Sequence, residues 1–217
     1  MEVNFSEQEL ERIRQAVTEA ERGTRGEIVP MIVPASARYR EARYRMGFAC
    51  AFILLTILLT LEIEFLHWGW HAANSGWLLL SVVGAYGLGY WLGTFGPVIR
   101  WVVSDQRMAQ KVRFKAQRAF FEHGLNRTEL RTGVLILVSL LEHRVQVLAD
   151  KSINDRVQDG VWDGLVKTII DGVHEGIPTK AFCAAIVQCG DILREVFPAS
   201  EDGPNPNELP NRLVQEP

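Results

Sequence analysis

Cysteine is scarce in this chain, and its arrangement indicates neither a disulfide framework nor a zinc centre. The three cysteines are Cys50, Cys183 and Cys189, and none belongs to a C-x-x-C motif or to a Cys/His ligand spacing. Cys183 and Cys189 are six residues apart in a segment with helical periodicity, so they point to different faces of the helix. We therefore predict reduced, buried thiols.

A large charge of one sign is also missing. The formal net charge is -3 at pH 7, which gives no electrostatic footprint for nucleic acid, and we expect no nucleic-acid partner. The N-terminal residues 1–41 are polar and lack the apolar stretch of a secretory signal peptide. Targeting is therefore expected to come from apolar segments inside the chain.

Long apolar runs are absent except between residues 46 and 103, which hold most of the apolar excess. A membrane-spanning helix needs about 20 mostly apolar residues, and both residues 46–66 and residues 77–103 reach that length. We predict a transmembrane helical hairpin over residues 46–103. The competing interpretation is a buried hairpin in a soluble core, which the remaining residues are too few to cover.

The second apolar run contains signals for helix contact and for an early end. Gly89 and Gly93 have the G-x-x-x-G spacing, which favours packing between the two helices and, as a second interpretation, self-association into a homo-oligomer. Pro97 is expected to kink or shorten the helix near its exit. Tryptophans flank the two runs, as in an interfacial belt, at Trp68, Trp70, Trp77 and Trp101.

Basic residues flank the hairpin and are missing from its connection. Residues 65–76 contain neither Lys nor Arg, whereas the flanks contain Arg38, Arg40, Arg43, Arg45, Arg107, Lys111, Arg113, Lys115 and Arg118. The positive-inside rule then places both termini in the cytoplasm, as in a multi-pass protein of a bacterial inner membrane. The same residues suit anionic headgroups, so we expect membrane lipid as a partner.

The segments before and after the hairpin have α/β patterns. Ser6 and Glu9 predict a capping box at the start of an amphipathic helix. Residues 27–33 form an apolar strand in which Pro30 favours an edge position or an irregular pairing. Residues 106–123 form a basic helix with two compatible interpretations, one lying on the membrane surface and one packing on the sheet.

Further strands and helices follow, and together the two segments form one domain. Residues 133–139 are typical of a buried strand, and residues 144–149 of its antiparallel neighbour across a hairpin turn. Helical periodicity follows over residues 161–175 and 179–197. Neither segment is large enough to fold alone.

We therefore predict a domain made of residues 1–40 and 106–198, interrupted by the hairpin of residues 46–103 and followed by a disordered tail over residues 199–217. Its fold class is α/β, a small three-layer or two-layer sandwich around a short mixed β-sheet of three strands.

Two stretches resemble the TPM-domain family, namely TGVLILVSLLEHRVQVLADKSINDRV and EAERGTRGEIVPMIV. The first has the family's G-x-L-x-L-V-S strand, its basic turn and its Asp-rich loop. The resemblance covers both soluble segments, leaves out the hairpin and implies an α/β sandwich. For function it implies an acid phosphatase or an accessory factor of membrane complexes. Secreted and lumenal members carry the domain outside the cytoplasm, which differs from the topology predicted here and weakens the transfer of a lumenal function.

Aspartates that follow the second strand of the hairpin are the candidate metal ligands. Asp150 ends that strand and Asp155 stands in the next loop. The resemblance implies divalent cations here, and Ca²⁺ or Mg²⁺ would bind such oxygen ligands. The alternative is that these aspartates cap helices and turns. In the hairpin turn, Glu142, His143 and Arg144 either bind an anion or form a solvated charged turn.

Two functions therefore compete. The first is a membrane-anchored accessory or scaffold protein whose cytoplasmic TPM-like domain binds a protein partner through an apolar or mixed surface patch. The second is a weak, metal-dependent phosphatase tethered to the membrane, with Asp150, Asp155 and a basic residue in one cleft. Enzyme activity rests on the resemblance alone, because the chain has no C-x5-R loop, D-x-D-x-T/V motif or two-metal ligand set.

Overall fold

The structure, a computed structural model, describes residues 5–61, 72–199 and 208–215, without the side chains of residues 72–75. The end of the first predicted span, Trp68 and Trp70, and residues 200–207 and 216–217 of the predicted tail lie outside the described residues. The chain divides into two compact units. One contains Met1–Ala37 and Ala109–Pro217, and the other contains Arg38–Met108.

The helices and strands follow the sequence patterns closely over most of the chain. In chain order they are α1 (Glu7–Arg22), β1 (Glu27–Val33), α2 (Arg40–Leu61), α3 (Ala72–Leu92), α4 (Gly96–Val102), α5 (Asp105–Glu122), β2 (Gly133–Ser139), β3 (Arg144–Ala149), α6 (Lys151–Asn154), α7 (Asp163–His174), α8 (Pro178–Val196) and β4 (Val214–Gln215). The capping box predicted from Ser6 and Glu9 is confirmed at the start of α1.

The strands of the described residues form one sheet in the order β3-β2-β1-β4. β2 is parallel to β1 and antiparallel to β3, and β4 is parallel to β1. This arrangement confirms the predicted α/β class with a mixed sheet, and it confirms the antiparallel hairpin between β2 and β3.

Helices cover both faces of the sheet, because side chains of a strand alternate between faces. On one face, α1, α7 and α8 pack against Ile28, Ile32, Val134, Ile136 and Val138. On the other face, α5 packs against Val29, Met31, Val33, Leu135 and Leu137 through Val112, Ala116, Ala119 and Phe120. The domain is therefore a three-layer sandwich.

Two predictions are wrong. Residues 208–215 of the predicted disordered tail pack against the domain, and the sheet of the described residues has four strands and not three. Val214–Gln215 pairs with Met31 and Ile32 of β1 as a fourth strand, and Leu213 is buried. The carboxylate of Glu27 accepts hydrogen bonds from the backbone N–H groups of Glu208 (3.4 Å) and Leu209 (3.3 Å). The polar composition of the tail hides this short apolar stretch, which gains stability only when β1 is next to it.

Of the two alternatives predicted for Pro30, the edge position is wrong, because β1 lies between β2 and β4. Pro30 pairs with Ile136 of β2 on one side, and β4 reaches β1 only at Met31 and Ile32. The missing N–H group of proline therefore interrupts no pairing with β4, and a proline is compatible with this inner strand.

The second unit is a helical hairpin in which α2 and α3 pack closely. A Cβ atom added at Gly89 would lie 2.5 Å from the carbonyl oxygen of Met46, and one added at Gly93 would lie 2.6 Å from the Cα atom of Arg43. The predicted packing of the G-x-x-x-G residues between the two helices is thus confirmed. Aromatic pairs Tyr44–Tyr90 and Phe48–Tyr86 support the same contact, with ring centroids 5.6 and 5.3 Å apart.

The second predicted span, residues 77–103, is interrupted by a bend before Pro97. α3 ends at Leu92, α4 begins at Gly96, and the two helices are bent by 101°. Pro97 lies in the first turn of α4, where its missing N–H group would have no helical partner in any case. The predicted shortening near Pro97 is confirmed.

Candidate functional site

Asp150 and Asp155, the predicted metal ligands, lie at the two ends of the short helix α6. Asp150 is the N-cap, and its carboxylate accepts a hydrogen bond of 2.6 Å from the backbone N–H of Lys151. Asp155 follows the last residue of α6, and its carboxylate forms an ion pair of 2.5 Å with the Lys151 ammonium group. Both aspartates therefore have the capping and pairing roles that Asp commonly has.

The described residues around Asp150 and Asp155 fit a metal ion poorly. No group of three or more His, Cys, Asp or Glu side chains comes close enough to hold a metal ion there. Ca²⁺ takes about six to eight oxygen ligands, whereas one of the two carboxylates is already paired with an ammonium group. The metal site at Asp150 and Asp155 stays a prediction.

A cavity of about 310 Å³ lies at the carboxyl ends of the parallel strands β1 and β2. It opens between the β2–β3 turn and the α7–α8 turn. Its lining is mostly apolar and comes from strands, helices and turns far apart in sequence: Phe5, Ile32, Val138, Leu140, Val145, Ile170, Val173, Pro178 and Phe182. Ligands commonly bind at this end of parallel strands in α/β proteins.

Polar groups at the cavity belong mainly to the two turns. His143 and His174 are exposed, and Arg144 is half-buried. His143 has a left-handed backbone with φ of 51°, which is uncommon outside glycine and closes the tight turn between β2 and β3. Gly176 and Pro178 also line the cavity, so the N-terminus of α8, with its partial positive charge, lies beside it.

Glu142 has a different environment from the solvated turn that the sequence predicts. Its side chain is only 5% exposed. The Ser36 backbone N–H donates a hydrogen bond of 2.9 Å to one carboxylate oxygen, and the Ser139 hydroxyl donates to the other. The hydroxyls of Ser36 and Ser139 are 2.7 Å apart and bonded to each other. This network ties the β2–β3 turn to the segment after β1, next to the cavity.

A second buried acid lies at the opposite end of β1. The carboxyl group of Glu21 accepts a hydrogen bond of 2.7 Å from the backbone N–H of Ile28. The pKa of Glu21 is raised to about 8, mainly by burial away from water and in smaller part by the nearby charge of Glu27. Burial also raises the pKa of the neighbouring Cys189 thiol, which keeps that thiol protonated and unreactive.

Comparison with known proteins identifies the C-terminal half of this sandwich. Residues 99–192 match the family model of the TPM domain. The chain contains a TPM domain. The match covers β2, β3, α7 and most of α8, and therefore Asp150, Asp155 and most of the cavity lining.

A solved structure supports the fold of the TPM domain. The NMR structure of BA42 protein from the psychrophilic bacterium Bizionia argentinensis is similar, with a TM-score of 0.61 and 19% sequence identity over 100% of this chain and 98% of that chain. At this identity the likeness shows the fold alone. No curated protein matches the chain.

The helical hairpin leaves a large apolar surface exposed. By length and composition, α2 is able to cross a membrane, and so is a second span if the bent pair of residues 76–92 and 96–102 forms one span. Only 6% of the most apolar window of α2 is buried. A core helix of a soluble protein would be mostly buried, so the competing interpretation of a buried soluble hairpin is not supported.

Helix α5 of the TPM domain has one buried and one exposed face. Its buried face packs on the sheet, as described above, which confirms one of the two interpretations of this basic helix. The rings of Phe114 and Phe121 are 58% and 63% exposed on the outer side, and Arg113 and Arg118 are exposed beside them. We call these four residues the outer α5 patch.

The sequence indicated some of these features and missed others. The strand-turn-strand pattern placed Glu142, His143 and Arg144 at the turn, and in the structure Arg144 is the first residue of β3. Neither the cavity nor the burial of Glu142 has a local signal, because the contacting groups come from residues about a hundred positions apart, such as Ser36 and Glu142.

Proposed function

We propose that this chain is an integral membrane protein in which the hairpin of residues 46–103 anchors a TPM domain at the cytoplasmic face of a bacterial inner membrane. In this proposal the domain is an accessory or scaffold factor that binds a protein partner of a membrane complex. Both chain termini would then lie in the cytoplasm, and the connection between α2 and α3 would lie outside.

The exposed apolar surface of the hairpin is the observation that carries this proposal. Large apolar side chains of α2 and α3 are exposed in the described residues, including Phe48, Phe52, Ile53, Leu79, Leu80 and Trp91. Contiguous apolar surface of this kind marks a membrane or protein contact. The basic flanks and the uncharged connection favour the cytoplasmic orientation.

Fusion reporters test the topology. A green fluorescent protein fused after residue 217 should fluoresce, because it folds in the cytoplasm, and alkaline phosphatase inserted after residue 74 should be active, because it folds outside. Alkaline phosphatase fused after residue 217 is the matched control and should be inactive. Active phosphatase at the C-terminus, or recovery of the unfused chain in the soluble fraction, would contradict the anchor or its direction.

The outer α5 patch supports binding of a protein partner. Aromatic residues and Arg are enriched in protein–protein interfaces, and here Phe114 and Phe121 are exposed next to Arg113 and Arg118. The patch is mixed rather than purely apolar, as the accessory-factor hypothesis requires. The outer α5 patch lies on the face of α5 that does not pack on the sheet.

Photo-crosslinking in native membranes tests this role. Benzoylphenylalanine in place of Phe114 should form one discrete protein adduct, and the same group in place of the exposed Lys167 on α7 is the matched control. Loss of the adduct in Arg118→Glu would support a specific interface. Adducts with lipid alone would show that α5 lies on the membrane surface, and would contradict a protein partner at this patch.

A further inference from the structure

We propose that the cavity at the carboxyl ends of β1 and β2 binds a single-chain amphiphile with an anionic head, of the medium-chain fatty acid class. The apolar chain would occupy the cavity, and the head would lie between the β2–β3 turn and the N-terminus of α8. This proposal is independent of the accessory role, because it concerns a different surface of the TPM domain.

The floor of the cavity indicates an apolar ligand. Ile32, Val138 and Phe182 are buried, and within the described part of the chain no carboxylate is among the lining residues. An apolar cavity is poorly suited to water, since a bound water needs two to four polar partners. An acyl chain would make the dispersion contacts that these side chains lack when the cavity is open.

The groups around the opening indicate a negative head. Arg144 is cationic, and His143 and His174 are able to donate hydrogen bonds. The α8 N-terminus adds a partial positive charge, which favours an anion. Two nearby acids already accept hydrogen bonds, which reduce their repulsion of a second anion. Glu142 accepts from Ser36 and Ser139, and Glu9 accepts from the Thr179 hydroxyl at the start of α8 (2.6 Å).

The size of the cavity restricts the class further. A volume of about 310 Å³ is at the lower end of small-molecule pockets, which span roughly 300–1,000 Å³. Two acyl chains of a phospholipid would not fit, whereas a single chain of medium length would. We therefore infer that the ligand is a free single-chain acid and not a lipid of the bilayer.

The test uses the full chain in nanodiscs of zwitterionic phosphatidylcholine. Binding of 8,8,8-trifluorooctanoate is followed by ¹⁹F NMR, and empty nanodiscs correct for partitioning into the bilayer. We expect a saturable signal that unlabelled octanoate displaces and acetate does not. The neutral alcohol 8,8,8-trifluorooctanol should bind at least tenfold more weakly.

Paired variants locate the site. Val173→Phe fills the cavity and should abolish binding, whereas Val187→Phe adds the same bulk on an exposed part of α8 and should not change it. Arg144→Gln should weaken octanoate binding about tenfold without affecting octanol, whereas Arg22→Gln on α1 should have no effect. Circular dichroism checks folding, and Ile170→Phe replaces Val173→Phe if that variant does not fold.

Several results would overturn the proposal. They are the absence of a saturable signal above empty nanodiscs, native binding in the cavity-filling variant, and equal affinity for octanoate and octanol. Phosphatidylglycerol added to the nanodiscs should leave octanoate binding unchanged. Competition by that lipid would show that a bilayer headgroup, and not a free acid, is the ligand.

Discussion

At the residue scale, the carboxyl group of Glu21 should determine part of the pH dependence of stability. Its pKa is about 8 in the folded chain against a reference value of 4.5. Between these two values the folded state keeps a proton that the unfolded state loses. The free energy of unfolding should therefore fall as pH rises, by at most about 1.4 kcal/mol per pH unit, and level off above about pH 8.

Glu21→Gln should remove this slope, because glutamine does not titrate. Thermal unfolding of the purified protein, followed by circular dichroism between pH 5 and pH 9, measures the effect. Glu19→Gln, on the exposed side of the same helix, is the control and should keep the native slope. Equal slopes in the two variants would show that Glu21 does not hold the proton.

Asp150 and Asp155 allow a second test at this scale. If they bind Ca²⁺ or Mg²⁺, calorimetric titration of the detergent-purified protein should show saturable heat that Asp150→Asn and Asp155→Asn both remove. Their capping and pairing contacts predict a different result, namely no metal heat, nearly native stability in Asp150→Asn, because asparagine caps a helix about as well as aspartate, and a loss of about 1 kcal/mol in Asp150→Ala. A metal heat unaffected by either variant would place any ion elsewhere.

At the element scale, the packing of α2 against α3 depends on glycines of α3. A side chain at Gly89 would collide with the backbone of Met46 and with Cys50, whereas nothing lies within 4 Å of a Cβ atom at Gly84. Gly89→Leu should therefore destabilise the hairpin by about 1–3 kcal/mol, the usual cost of overpacking. Gly84→Leu should have little effect on hairpin packing.

Thermal unfolding in phosphatidylcholine nanodiscs measures this difference between two equally bulky substitutions on one helix. The melting temperature should fall in Gly89→Leu and stay near the native value in Gly84→Leu. A fall in Gly84→Leu alone would indicate that the opposite face of α3 carries the important contact, as self-association of the chain would require.

At the scale of the whole molecule, the C-terminal segment should stabilise the TPM domain. Residues 208–215 cover the edge of β1, bury Leu213 and bond to Glu27. Ending the chain after residue 207 should lower stability by about 2–5 kcal/mol, as for the loss of a buried leucine side chain. An exposed edge strand should also increase aggregation.

Melting temperature and light scattering of the purified protein check this prediction. A chain that ends after residue 215 keeps β4 and is the control. An unchanged melting temperature in the shorter chain would mean that β4 adds nothing to the stability of the sheet.

Elements whose signals are local could be predicted from the amino-acid sequence alone. The capping box at Ser6 and Glu9, the apolar strand from Gly133 to Ser139 and the apolar run of α2 each depend on neighbouring residues and on a period of two or 3.6. The mixed sheet also followed from these patterns, because the β2–β3 turn allows antiparallel pairing and the long connection from β1 allows parallel pairing.

Contacts between residues far apart in sequence could be established only from the three-dimensional fold. The pairing of Val214 with Met31, the burial of Glu142 against Ser36 and the cavity beside Phe182 involve groups separated by a hundred residues or more. No periodicity encodes such contacts, because they depend on how layers stack and on which polar groups find partners. The break between α3 and α4 was signalled by Pro97, but its 101° bend was not, since the proline restricts only its own turn.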